Sequence, residues 1–199
     1  MPQVPKIQEI LHSGALSFGK YGHELEQKLS DFFGARYLAV TSTFTNAITI
    51  ALVSYEIQYG DEAIMSPMAC LSSTQPYLSH GLRIVWADVD NMTGTLDPDD
   101  VRKKITAKTK VIVHNHFCGY PGYIAEVNRI GRDYGIPVFN DGIECFGAEY
   151  HGKLVGNDGA DATIFSFNPV RIPNTIDGAP FYFRIPKNSR KRFAFEIAA

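Results

Sequence analysis

Asp161-Ala162-Thr163-Ile164-Phe165-Ser166-Phe167-Asn168-Pro169-Val170-Arg171, running on through Asp177-Gly178, sets the reading of the whole chain. Ala162 to Phe165 is an apolar run that fits a short strand stopping at Ser166. A proline-containing loop follows, and a second apolar run, Ala179 to Ile185, returns after it. Loops at strand ends carry the chemistry of many α/β proteins, because a rigid sheet positions their side chains. Ser166 and Arg171 form a candidate anion grip, a hydroxyl donor beside a planar charged fork. From these residues alone, a plain strand–turn–strand with a surface arginine is the alternative.

Upstream, Ile136 to Asn140 reads as a strand closed by Asp141, after a helix from Ile124 to Tyr134 that Gly135 stops. Further back come a strand at Lys110 to His114 and a helix at Asp99 to Ile105 led by Pro98. A strand at Arg83 to Val89, a helix within Ala69 to His80 and a strand at Glu62 to Ser66 precede them. Ala47 to Tyr59 reads as a helix closed by Gly60, with Thr45 or Asn46 as N-cap, after a strand at Tyr37 to Thr41. Leu25, Leu29 and Phe32-Phe33 mark a helix from His23 that Gly34 ends. Ile7 to Gly22 reads as a glycine-rich approach outside the core. Alternation of strand and helix predicts an open, mostly parallel α/β sheet flanked by helices.

The unit Tyr37 to Tyr59 has a polar turn, Thr41-Ser42-Thr43-Phe44-Thr45-Asn46, between its strand and helix. Free amides and the positive helix end gather at such a turn and suit a phosphate, although simple capping explains the same residues. No G-x-G-x-x-G follows the strand, so this is not a dinucleotide turn.

At 199 residues the chain fits one domain with a full core, and 45% hydrophobic with 20% charged residues describes a folded globular protein. A net charge of −2 gives no electrostatic case for nucleic acid or an anionic membrane. The basic residues Lys187, Arg190, Lys191 and Arg192 read as a solvated helix start. Three cysteines without C-x-x-C spacing suit reduced thiols. With no apolar leader in Met1 to Ile10 and no membrane-length apolar run, a cytoplasmic protein is expected. His114 and His116 share a strand face near Cys118, but this is not a complete ligand set, and no metal is expected.

Ser166-Phe167-x-Pro169-x-Arg171, with Asp177-Gly178 beyond, resembles the cofactor-lysine segment of the DegT/DnrJ/EryC1/StrS sugar aminotransferases. Several further words agree in order: Thr45 and Ala47, Asp97-Pro98, Thr109-Lys110, Phe117 to Pro121, and Asp141 to Ala148. The resemblance implies the large domain of a fold type I pyridoxal-phosphate enzyme over residues 1–199. Residues 1–35 would be its N-terminal arm and helix, and the family's C-terminal small domain would be absent. Ser166 and Thr45 would touch the cofactor phosphate, and Asp141 would hold the pyridine nitrogen. His116 or a neighbour would lie at the substrate mouth.

Four positions depart from the family's pattern. Arg171 stands where the lysine forms the Schiff base, and a guanidinium is not an amine nucleophile at physiological pH. Phe44 replaces a glycine of the phosphate turn, where a benzyl group would crowd the ligand. Leu71 falls where an aromatic ring stacks on the cofactor, and a buried helix leucine is the plainer reading. Glu144 replaces a neutral glutamine, or a histidine, where it would repel Asp141 or take up a proton.

The resemblance therefore implies weak or absent cofactor binding and a degenerate relative of a nucleotide-sugar aminotransferase. Alternatives are a non-catalytic module that binds a sugar nucleotide or pairs with a homologous subunit, and an enzyme with non-covalent cofactor; some dehydratases of the family carry His at the lysine position. A homo-oligomer or an assembly with a homologous subunit is expected.

Overall fold

Seven strands form one sheet in the order β1-β9-β8-β5-β4-β2-β3 in a computed structural model that describes residues 4–14, 16–35, 37–175 and 178–183. In chain order the elements are α1 (Val4–Ser13), α2 (Lys20–Phe33), β1 (Leu38–Thr41), α3 (Phe44–Ser54), β2 (Glu62–Met65), α4 (Leu71–Ser79) and β3 (Arg83–Trp86). They continue with α5 (Pro98–Lys104), β4 (Thr109–Asn115), α6 (Ile124–Tyr134), β5 (Val138–Asp141), β6 (Glu149–Tyr150), β7 (Lys153–Leu154), β8 (Ala162–Ile164) and β9 (Ala179–Phe183). Strands β8, β5, β4, β2 and β3 run parallel, and β9 is antiparallel to both β8 and β1. Because β9 is antiparallel to both its neighbours, β1 and β8 point the same way. The loops after β1, β2, β4, β5 and β8 therefore all open on one edge of the sheet.

Strict side-chain alternation splits the core into two layers. Ala63, Met65, Val111, Val113 and Phe139 face α3 and α4, where Ala47, Ile48, Ala51, Leu52 and Tyr77 cover them. Ile64, Ile112 and Val138 face the other way, onto Val101 of α5 and Val127 and Ile130 of α6. Gly131 of α6 lies so close to the sheet that an added Cβ would stand 2.4 Å from Val138 Cγ2, so helix and strand meet there without a side chain between them. A third cluster packs Leu29 and Phe33 of α2 against Phe165, Phe167 and Val155. Rings of Phe33, Phe146 and Phe165 stack or meet edge-on there, at centroid distances of 4.9 to 5.4 Å.

Most of the expected elements form, with shifted ends. Gly34 and Gly135 end α2 and α6 in the left-handed conformation, at φ 62° and 67°. Helix α3 starts at Phe44 rather than Ala47, and its cap is Thr43, whose Oγ1 accepts from Asn46 N at 3.1 Å. Thr45 and Asn46 therefore lie inside the first turn. The segment read as a glycine-rich approach contains α1, an exposed helix that makes no core contact of note. The residues from Arg190 onward, the basic cluster and Asp177 lie outside the described residues.

Candidate functional site

Asp141 ends β5 on the α3/α4 face of the sheet and is almost wholly buried. Its Oδ2 accepts from Asn115 Nδ2 at 3.0 Å, and its Oδ1 accepts from Ile143 N at 3.2 Å. Asn115 is its register partner on β4. Ser73 of α4 stands beside the same carboxylate; its hydroxyl is buried and makes no hydrogen bond of regular geometry. Burial pushes the Asp141 carboxyl up, against the pull of the adjacent Ser73 hydroxyl and the hydrogen bonds from Asn115 and the Ile143 amide, while the nearby Glu144 charge adds to the rise. Tyr77 of α4 is fully buried and its phenol is driven well up, by burial first and by the Asp141 charge second. The result is a buried strand-end carboxylate, each oxygen of which accepts one hydrogen bond, beside Ser73 and Tyr77 of α4.

The turn after Asp141 is pressed against the core. Gly142 N donates to Ile164 O at 2.8 Å, and a Cβ on Gly142 would meet the Phe165 ring at 2.9 Å. A residue with a side chain would have to displace that ring, so glycine here fixes where Glu144 emerges. Glu144 Oε1 pairs with Arg171 Nη1 at 2.8 Å, and Glu144 Oε2 accepts from Cys118 N at 2.8 Å. The sequence suggested that Glu144 would repel Asp141 or take up a proton; its charge does add to the rise of Asp141, and the same carboxylate also pairs with Arg171. The pair joins the loops after β5 and β8, and through Cys118 the loop after β4. With side chains 21% and 33% exposed, it is screened enough to contribute about 1 kcal/mol or less. Cys118 adopts φ 55°, a left-handed angle rare outside glycine and asparagine, in the short 3-10 turn Phe117–Gly119.

The other expected site residues lie as follows. Ser166 is buried at the end of β8, and its hydroxyl accepts from Asn168 N at 3.3 Å, a local turn that shapes the loop. Thr45 is exposed in the first turn of α3. Phe44 is only 9% exposed and belongs to the core between the sheet and α3. Its backbone is helical, so the position uses no glycine-only angle. Leu71, read as a buried helix leucine, is instead 69% exposed at the start of α4. Its place in the first turn points it outward, while Ser73, Thr74 and Tyr77 take the buried face. Topology thus brings Thr45, Leu71, Asp141, Glu144, Ser166 and Arg171 to one sheet edge, and hydrogen bonds tie Glu144 to Arg171.

His114 and His116 share a face, as their spacing implies, with ring centroids 4.8 Å apart. His116 is fully buried rather than at a mouth. His114 Nε2 and His116 Nδ1 both meet Pro121 O, at 2.9 and 3.2 Å. Burial lowers both imidazoles, His116 most. Among the described residues no group of three or more His, Cys, Asp and Glu is arranged to hold a metal ion. Among the same residues no helix is long and apolar enough to cross a membrane.

Residues 2–186 match the DegT/DnrJ/EryC1/StrS aminotransferase family. The fold is similar to that of an aminotransferase from Psychrobacter cryohalolentis, at 25% identity and TM-score 0.86 over 92% of this chain and 47% of that one. It is also similar to 3-amino-5-hydroxybenzoic acid synthase, at 28% identity and TM-score 0.80, covering 85% of this chain and 44% of the other. NtdA from Bacillus subtilis with bound cofactor PMP gives 25% identity and TM-score 0.76 over 90% and 42%. The chain thus spans about half the length of the solved structures it matches.

Proposed function

The chain belongs to the DegT/DnrJ/EryC1/StrS aminotransferase family, and from that premise we propose that it keeps the family's cofactor-domain fold without transaminating. The family depends on pyridoxal phosphate. When bound, that cofactor supplies an electron sink that lets an amino group pass between substrates. The residues here fit its ring in part. The buried, raised carboxylate of Asp141 would suit a protonated ring nitrogen, and Ser166 and the first turn of α3 would lie toward the phosphate. They do not fit covalent attachment.

One observation carries this reading: the arginine at the lysine position is ion-paired to Glu144 at 2.8 Å. Its guanidinium delocalises its nitrogen lone pairs and has none free to attack a carbonyl. What this chain's residues do is hold charge: Asp141 toward a cation in the cleft, Arg171 toward an anion. Exposed Leu71 and Leu78 on α4, with Ile50 and Val53 on the adjoining α3, support association with a second copy or a homologous subunit.

The test is a half-reaction: purified protein with pyridoxal phosphate and excess glutamate, followed by visible absorbance. No conversion to the amine form of the cofactor is expected. Stoichiometric conversion would show a competent aminotransferase and overturn the proposal.

A further inference from the structure

His114 belongs to a polar row across the middle of the sheet, on the face covered by α6. Register pairs His114 with Asn140 and Asn140 with Thr163, and all three are fully buried. The preceding register pair on that face, Ile112 and Val138, is apolar core. His116 follows His114, with its ring edge-on to that of His114. Both rings meet a single acceptor, Pro121 O, through His114 Nε2 and His116 Nδ1. A carbonyl oxygen can only accept, so each imidazole carries its proton on that nitrogen. His114 Nδ1 and His116 Nε2 are then bare acceptors, buried and without a hydrogen-bond partner.

A second proton on either ring would create a buried cation, and the surroundings are poorly set to receive it. Asn140 lies beside His116 without a hydrogen bond of regular geometry. Asp158, before β8, and Glu126, on α6, are the carboxylates that act on His114. Both oxygens of Asp158 are already taken, by Gly156 N, Ala160 N and the Asn140 amide. Burial outweighs these charges at both rings, and at His116 the neighbouring His114 adds to it. Pro121 in turn belongs to a loop that serves the sheet edge. Cys118 N, three residues before it, donates to Glu144 Oε2, and Glu144 Oε1 holds Arg171. Cys118 and Tyr120 are exposed, whereas the rings pinned to Pro121 are not.

From this arrangement we infer that His114 and His116 form an acid-sensitive latch on the loop after β4: rings with one proton each pin Pro121 O, and a further proton is accommodated by releasing the loop, which frees Glu144 from Cys118 N. The latch is independent of whether the chain holds a cofactor. Below the ordinary imidazole value the open loop takes up protons that the closed loop resists, so opening grows as pH falls.

Amide hydrogen exchange, read by mass spectrometry on peptides covering this loop and β2 and corrected for intrinsic pH dependence, measures the opening at pH 7 and pH 5.5. With an ordinary imidazole value of about 6.5, each ring wetted on opening raises the opening constant by up to roughly eightfold over that step. The parent should therefore gain between roughly threefold, if the rings titrate partly while closed, and roughly seventyfold, if neither does. His114→Gln and His116→Asn, whose amides replace the pinning nitrogens, should each respond less than the parent, and the double variant should not respond. A dilute urea series marks the opening as local: the loop's rate should stay flat while that of β2 climbs. Thermal melts show which variants fold, and where one does not, the parent decides alone. A gain below roughly threefold in the parent, a loop rate that climbs with urea in step with β2, or a pH response that persists in the double variant overturns the latch.

Discussion

Phe44 offers the sharpest test of how the start of α3 is built. A benzyl group in place of glycine suggests, from sequence, a ring lying over the start of α3 where a phosphate would sit. In the structure the ring is 9% exposed and packs with Ala47, Ile48 and the sheet. Removing it should therefore open a cavity in the core rather than a ligand site. Phe→Ala at buried positions costs about 3–5 kcal/mol, and a place in the first helical turn, where collapse is easiest, argues for the lower end, about 3 kcal/mol. For a domain of this length each kcal/mol lowers the melting temperature by roughly 2–4 °C, so Phe44→Ala should melt roughly 6–12 °C below the parent. Urea and thermal unfolding, with phosphate titration of the folded variant, measure both effects. A loss below about 1 kcal/mol, together with tighter phosphate binding, would refute the reasoning and put the ring over the helix start.

Arg171→Lys alone should not restore amine chemistry, because the Glu144 carboxylate would hold the new ammonium protonated; reduction with pyridoxal phosphate should trap clearly more adduct at position 171 in Arg171→Lys/Glu144→Gln than in Arg171→Lys. Asp141 has a carboxyl raised by burial, so its ionised form lowers stability above the folded pKa and the penalty fades as pH falls toward the ordinary carboxylate value. Asp141→Asn should therefore gain on the parent more at pH 8 than at pH 4.5 in urea melts, and an equal gap at both would contradict the burial account. His116 is depressed by burial, so stability should fall as pH drops below the ordinary imidazole value; a His116→Gln variant should show a flatter urea midpoint between pH 7 and pH 5. Light scattering at micromolar concentration should find a dimer or larger assembly, and a monodisperse monomer would count against the association proposed for α3 and α4.

The order of the elements was legible because period and punctuation agree along the chain. Apolar runs at Glu62 to Ser66 and Lys110 to His114 sit between helical patterns, and Gly34 and Gly135 end helices in the left-handed angle that glycine allows. Helix α1 was missed although Val4, Ile7, Ile10 and Leu11 stand at helical spacing, because Gly14, Gly19 and Gly22 drew the reading of the segment toward a loop. The β6–β7 hairpin was missed because two-residue strands are too short to alternate. Its turn did carry a signal, His151-Gly152 at φ 49° and 72°, the positive pair that a tight hairpin needs.

Asp141, Glu144 and Arg171 were named as candidates from sequence, but the contact between Glu144 and Arg171 was not, because it depends on the loops after the parallel neighbours β5 and β8. Asn115 was overlooked beside two histidines. Alternation places it on the opposite face from His114 and His116, with Val113 and the Asp141 carboxylate, so the signal was present. Ser73 shows no such signal, as its role depends on α4 crossing the end of β5.

The central claim, a family fold whose cofactor-linking atom has been replaced by an ion-paired arginine, is tested most directly by borohydride trapping. The protein is incubated with pyridoxal phosphate, reduced, digested and mapped by mass spectrometry. The account predicts no pyridoxyl group on the peptide containing Arg171 and none at high stoichiometry on any lysine of the strand-end crevice. A stoichiometric adduct on one crevice lysine, lost when Asp141 is replaced by Asn, would contradict it.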